Sequence, residues 1–165
     1  MNKKQVEIIN PEGYKCFACG TANPIGLKLR FYQDGGSVCT DITLGEYHVG
    51  WENISHGGII STILDEVMSW TILYFKRIFF VTRKMELKYI RPVLVGIPLT
   101  ARGEVIDTSK PPKIRAKAEL RDQEGKLLAR SAGEFIALTK DELSSIPDGY
   151  KDEMFSIIGK LPPLK

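Results

Sequence analysis

Two features eight positions apart, near the middle of this 165-residue chain, could do chemistry on a carbonyl. The run His56-Gly57-Gly58 opens an apolar stretch, and Asp65 lies inside that stretch. If the stretch is helical, the glycines stand at its start. Backbone N–H groups there lack helical partners, and the macrodipole places about +0.5 charge. Glycine also lets a ligand oxygen come close to the backbone. A carbonyl attacked by water gathers negative charge, and one aimed N–H is typically worth about 10²–10³ in rate. A carboxylate such as Asp65 could activate that water as a general base or attack as a nucleophile. Taken alone, the glycines also suit turn geometry or close packing, and the acid also suits a solvated polar stripe. Glu66 is a backup carboxylate, turned about 100° away on a helix.

The elements that would hold these groups are legible in the periodicity. Ile59, Ile60, Ile63, Leu64, Val67, Met68 and Trp70 fall on one arc of a helical projection. Ile72, Leu73 and Phe75 carry apolar character around most of the circumference, which predicts a central helix at about 57–76. Asp65 lies outside the arc with Ser61, Thr62 and Ser69, so its stripe must face something other than bulk water. Ahead of the helix, Leu27–Tyr32 and Ser37–Leu44 flank Gln33-Asp34-Gly35-Gly36, a hairpin signal. Beyond it the period becomes two. Met85, Leu87 and Tyr89 alternate with Lys84, Glu86 and Lys88; Leu99–Val105 and Ile114–Leu120 behave alike; residues 126–138 read as one more strand.

Two strands, one long helix and four strands is an α+β order. A helix about 10–12 Å wide can cover about six antiparallel strands only if the sheet curls around it. The expected organisation is an irregular lead-in over 1–26, a domain over 27–138, and a short helix with a tail over 139–165. Thr139 and Glu142 form a capping box for that short helix.

Composition narrows the classes. A content of 43% hydrophobic and 26% charged residues excludes a disordered or fibrous chain. A net charge of +3 is too small to argue for nucleic acid, although the mildly basic later half would welcome a small polyanion. The longest weakly charged run, 53–75, holds Asp65 and Glu66 at mid-depth, so no membrane span is expected. An odd three cysteines, and a start at Met1-Asn2-Lys3-Lys4 that leads into no apolar segment, point to a reducing, cytoplasmic setting.

This order, with its motifs, resembles the hotdog fold, and within it the acyl-CoA thioesterases of the phenylacetate-pathway (PaaI-like) branch. The central element, His56-Gly57-Gly58 followed after six residues by Asp65, is similar to that branch's signature. Tyr89-Ile90-Arg91-Pro92 with Gly96, and Gly125–Ala129, add weaker likeness. Cys16-Phe17-Ala18-Cys19-Gly20 with Asn23-Pro24-Ile25-Gly26-Leu27 resembles one subgroup. The resemblance implies hydrolysis of an acyl-CoA thioester without metal or redox cofactor. It makes Asp65 the base or nucleophile and Gly57 the polarising amide, and it has Thr82 position the water. CoA would lie over Gly58, Tyr89, Arg91 and Lys110. Asn53 could cap the helix or orient water, and His56 could brace the loop or the thioester. The basic row Lys113, Arg115, Lys117 and Arg121 is either a landing strip for phosphates or a solvated face.

Gly57 and Asp65 would be about 12 Å apart along one helix axis. Both must lie about 3 Å from the reacting atoms. Two antiparallel helices from two subunits satisfy this, so a homodimer with shared sites is expected. The resemblance implies the same dimer, paired again into a tetramer. A non-catalytic acyl-CoA- or lipid-binding module on the same fold is the alternative. A hydratase of this fold would need an Asp and His paired ahead of the helix in a pattern absent here. Cys16 and Cys19 form a single C-x-x-C with only Cys39, His48 and His56 as further donors, so packing is favoured over zinc or thiol redox. The depth of the pocket is expected to depend on how Trp51, Trp70, Tyr74 and the tail pack across the interface.

Overall fold

A computed structural model describes residues 5–164; the expectation built on Met1–Lys4 lies outside the described residues. In chain order the elements are β1 (Val6–Ile8), β2 (Phe31–Asp34), β3 (Ser37–Thr43), β4 (Val49–Trp51), β5 (Ile54–Ser55), α1 (Gly57–Lys76), β6 (Phe80–Tyr89), β7 (Pro98–Asp107), β8 (Lys113–Asp122), β9 (Leu127–Ala137), α2 (Lys140–Ser145) and α3 (Asp148–Lys160). One antiparallel sheet runs β1-β2-β3-β7-β8-β9-β6, and β4 with β5 forms a small separate hairpin. The sheet packs around α1, which touches β3, β7, β8, β9 and β6. This is the α+β hotdog architecture, with seven strands in the sheet where six were expected. The seventh is β1, whose three residues pair with β2 from Val6↔Gln33 to Ile8↔Phe31. A three-residue strand is too short to show a period, and only its tertiary partner creates it.

The wrap depends on complementary sizes. The inward side of α1 carries Ile60, Ile63, Leu64, Val67, Met68 and Ile72, all essentially without solvent contact. The sheet answers with Ala101, Gly103, Ala116, Ala118, Ala129 and Gly133, so the large helix can sit close. Gly103 marks the closest approach. A Cβ there would lie 2.4 Å from Thr71 Oγ1 and 2.7 Å from the Val67 carbonyl oxygen. Gly103→Ala is therefore expected to cost about 2–3 kcal/mol by overpacking. Urea denaturation should read this as a lowered midpoint with an unchanged slope.

Length and mean apolarity would let α1 span a bilayer, but half of its most apolar window is buried inside the sheet's core. It ends where Arg77 turns left-handed (φ 55°) and its N–H returns to the Leu73 carbonyl. Trp70 and Tyr74 lie in the core. Trp70 stacks on Phe31 at 4.9 Å, and Tyr74 is fully buried with its hydroxyl donating to Gln33 Oε1. Trp51 is 73% exposed.

The hairpin of β2 and β3 is shifted from the expected one. Its turn is the two-residue Gly35-Gly36, with Gly35 at φ 62°. Leu27–Arg30 instead runs beside the lead-in, where the N–H groups of Leu27 and Leu29 donate to the Phe17 and Ala18 carbonyls. The tail also holds more order than expected. The capping box Thr139/Glu142 opens α2, and a further helix, α3, covers 148–160. Ile157 and Leu161 join the core, Phe155 meets Phe79 edge to face at 5.3 Å, and the Arg77 guanidinium donates to the Pro162 carbonyl. Ile8, Ala18 and Cys19 join the same core from the lead-in, and Leu29 joins it from the segment beside it.

Candidate active site

The start of α1 is built by His56, not by Asn53. His56 occupies the N-cap position with extended backbone (φ −61°, ψ 134°), and its Nδ1 accepts the Gly58 N–H at 2.9 Å. Asn53 sits back in the β4–β5 turn, exposed, with its carbonyl accepting from Val95 N–H. It is thus too early in the chain to cap. The Ile59 and Ile60 N–H groups both turn to the His56 carbonyl. Of the first-turn amides, Gly57 N–H alone has no acceptor among the described residues.

An accepting Nδ1 requires an imidazole that carries its proton on Nε2. His56→Ala should cost about 1 kcal/mol through loss of the cap, and His56→Asn should recover most of it. Thermal or urea unfolding of the two variants decides this. Substrate turnover by the Asn variant then shows whether the imidazole does more than cap.

Gly57 and Gly58 line a groove of about 510 Å³. Its other walls are Ile54, Ser55, Ile60 and the segment Tyr89–Val93, a mainly apolar lining with Arg91 the charged member. Tyr89 Oη donates to the Gly57 carbonyl at 2.7 Å, which ties the end of β6 to the start of α1. A Cβ on Gly57 would lie 3.0 Å from that hydroxyl, and one on Gly58 would lie 3.0 Å from His56 Nδ1. Both glycines are thus closely framed. Arg91 is exposed and donates to the Leu127 carbonyl at 2.6 Å.

Asp65 lies in the third turn of α1, half-buried. Its Oδ1 accepts from Thr82 Oγ1 at 3.1 Å. Burial pushes its carboxyl above the ordinary range, and the Thr82 hydrogen bond opposes that rise. Thr82 reaches the helix because β6 carries a register shift between Thr82 and Lys84. Ahead of this bulge the helix-facing side chains are Phe80, packed on Phe135, and Thr82. Beyond it they are Met85, Leu87 and Tyr89. Strict alternation back from Tyr89 would leave Thr82 on the wet face; the extra residue reverses the parity.

Strand β6 therefore touches both candidate groups, Asp65 near its beginning and Gly57 at its end. Within one protomer the two remain about 12 Å apart along the axis of α1. Glu66 points elsewhere, receiving the Trp70 indole N–H at 3.0 Å; burial pushes its carboxyl up to about 7.

Lys110 is not brought to Tyr89 and Arg91 in one protomer. It is exposed in the turn between β7 and β8, bordering a cleft with Asp107, Lys113, Arg115 and Glu134. That turn adjoins the Val81 end of the ladder, since Lys113 pairs with Ile136 and Ile136 with Val81. Tyr89 is eight residues further on, about 26 Å along the strand. The basic row on β8 is largely paired across the sheet's outer face: Lys113 with Glu134 at 2.9 Å, Lys117 with Glu104 at 3.0 Å, and Arg121 with Glu119 at 2.7 Å. Arg115 alone of the four makes no ion pair among the described residues.

The sequence model of the thioesterase superfamily matches residues 52–129, a span that holds His56, Gly57, Asp65, Thr82 and Tyr89. None of the curated proteins matches the sequence. Among solved structures, a thioesterase superfamily protein shares the fold with a TM-score of 0.65 and 23% identity, over 69% of this chain and 56% of its own. This chain thus spans little more than half of that protein's length. The E. coli PaaI protein of the phenylacetic acid degradation operon aligns with a TM-score of 0.63 and 18% identity, over 68% of this chain and 81% of its own. A Streptococcus mutans protein crystallised with acetyl-CoA aligns with a TM-score of 0.60 and 16% identity, over 68% and 90% of the two chains.

Proposed function

We propose that this chain, whose residues 52–129 match the sequence model of the thioesterase superfamily and whose fold is that of hotdog proteins, hydrolyses an acyl-CoA thioester to free acid and CoA in sites shared by two protomers. The observation that carries the reading is the double engagement of β6, by Thr82 with Asp65 and by Tyr89 with Gly57. Strand β6 is also one edge of the sheet, ten residues long, with its outer backbone groups unpaired among the described residues. Such an edge is a template for another strand. A second copy pairing antiparallel about the middle of β6 sets the Thr82 end of one protomer beside the Tyr89 end of the other. Asp65 then stands near the partner's start of α1, and the separation of about 12 Å within one helix no longer matters. The same operation carries Lys110 toward the end of the cleft that holds the partner's Arg91.

In that cleft the acyl carbonyl oxygen points at Gly57 N–H, the amide that His56 leaves free. Asp65, oriented by Thr82, takes a proton from water as the water oxygen attacks the thioester carbon. The negative charge passes to the carbonyl oxygen, where Gly57 N–H and the helix start stabilise it. Collapse breaks the C–S bond, and the thiolate of CoA takes the proton from Asp65. The apolar walls from Ile54 to Val93 suit the pantetheine arm and acyl group, and Arg91 suits the phosphates. Release of free thiol from a panel of acyl-CoAs, measured against hydrolysis without protein, tests the reading.

A further inference from the structure

The fold brings a third donor to the Cys16-x-x-Cys19 pair that the sequence spacing did not offer. Glu66, on the turn of α1 next to Asp65, lies against both thiols, and the two sulfurs and one carboxylate oxygen fall within 4.8 Å of one another. Cys16 Sγ is 3.8 Å from Glu66 Oε1. Zinc bonds of about 2.3 Å to sulfur and about 2.0 Å to oxygen, at a tetrahedral angle, set such atoms about 3.5 Å apart. The Cys16–Glu66 pair is already within a few tenths of an ångström of that separation.

The loop that carries the two thiols is tightly held. Gly20 folds the loop so tightly that a Cβ there would lie 2.5 Å from Cys16 N, Cys16 O and Tyr14 O. Its own N–H closes the turn onto the Cys16 carbonyl at 2.9 Å. Asn10 holds the far side, donating to the Cys19 and Leu29 carbonyls. Glu66 is in turn oriented by the Trp70 indole at 3.0 Å, the kind of outer contact that fixes a ligating carboxylate.

We propose that Cys16, Cys19 and Glu66 form a binding site for a divalent zinc-class cation, with water in the fourth position. The site is separate from the chemistry proposed at Asp65 and rests on none of it. Its work is mechanical: it clasps the lead-in to the middle of α1. Cys19 is buried, whereas Cys16 and Glu66 keep partial exposure, which gives the ion and its water a way in.

The reduced full chain, stripped with a chelator, is expected to take up one Zn²⁺ per chain. It should also bind Co²⁺ with the sulfur-to-metal charge-transfer absorption that thiolate ligation produces. X-ray absorption of the zinc form should count two sulfur ligands. Cys16→Ser and Cys19→Ser should each weaken Zn²⁺ by more than the ~10–100-fold that losing an outer partner costs. Glu66→Gln should weaken it at least about 10-fold, and Cys39→Ser should leave it unchanged. Failure of the reduced chain to bind Zn²⁺ stoichiometrically, or a spectrum with fewer than two sulfur ligands, would overturn the site. The spectra are read on the unmutated chain, so a cysteine variant that fails to fold does not blunt the test.

Discussion

Asp65→Asn is expected to lower kcat for acyl-CoA hydrolysis by about 10²–10⁴-fold, the usual worth of a general base, with little change in KM. Asparagine keeps the shape, and its Oδ1 can still accept from Thr82. What disappears is the capacity to take a proton from water. The fold should not suffer. Burial disfavours the charged form of Asp65, so a neutral amide removes a desolvation cost, and thermal stability should stay level or rise. Lost turnover with retained stability is the pattern of a residue kept for chemistry. Wild-type turnover by the Asn variant would remove Asp65 from the mechanism. A wild-type chain that binds CoA but releases no thiol from any acyl-CoA would leave a binding module in place of an enzyme.

Mixing Gly57→Pro chains with Asp65→Ala chains should restore activity that neither parent has. Proline at this position deletes the one free first-turn N–H while fitting the helix start, because the first helical residue tolerates it and His56 already has extended backbone. In a mixed dimer one site combines the intact Asp65 of the proline chain with the intact Gly57 of the alanine chain. The other site lacks both. The mixed dimer should therefore reach about half of wild-type turnover, measured on heterodimers isolated by two different affinity tags. Well-folded mixed dimers with no activity would mean that each protomer uses its own Gly57 and Asp65, and the geometry of β6 would need another explanation.

The extent of the helix, the alternation of the later strands and the order of the glycines and the acid are local properties, and the sequence carries them. Periods of 3.6 and 2 depend only on side chains along one stretch, and α1 spans the expected 57–76. The Ala- and Gly-rich inward rows of β7 and β8 sit in the same local pattern. Even the capping box of α2 is a matter of three residues' spacing. Helix α3 is different: Phe155 finds Phe79, and Ile157 finds the core, only in three dimensions.

The site itself divides along the same line. Which residues are present to do chemistry is written in the order His56-Gly57-Gly58 and Asp65. Which amide stays free was decided by folding, because His56 swings back to occupy Gly58 and not Gly57. A bulge between Thr82 and Lys84 put Thr82 against Asp65 although strict alternation would have turned it to water. Glu66 met Cys16 and Cys19 across a gap of nearly fifty residues, a juxtaposition no spacing rule contains. Period and composition are written along the chain. Parity, pairing and long-range contact arise only when separate segments compete for the same partners, and that competition is settled in three dimensions.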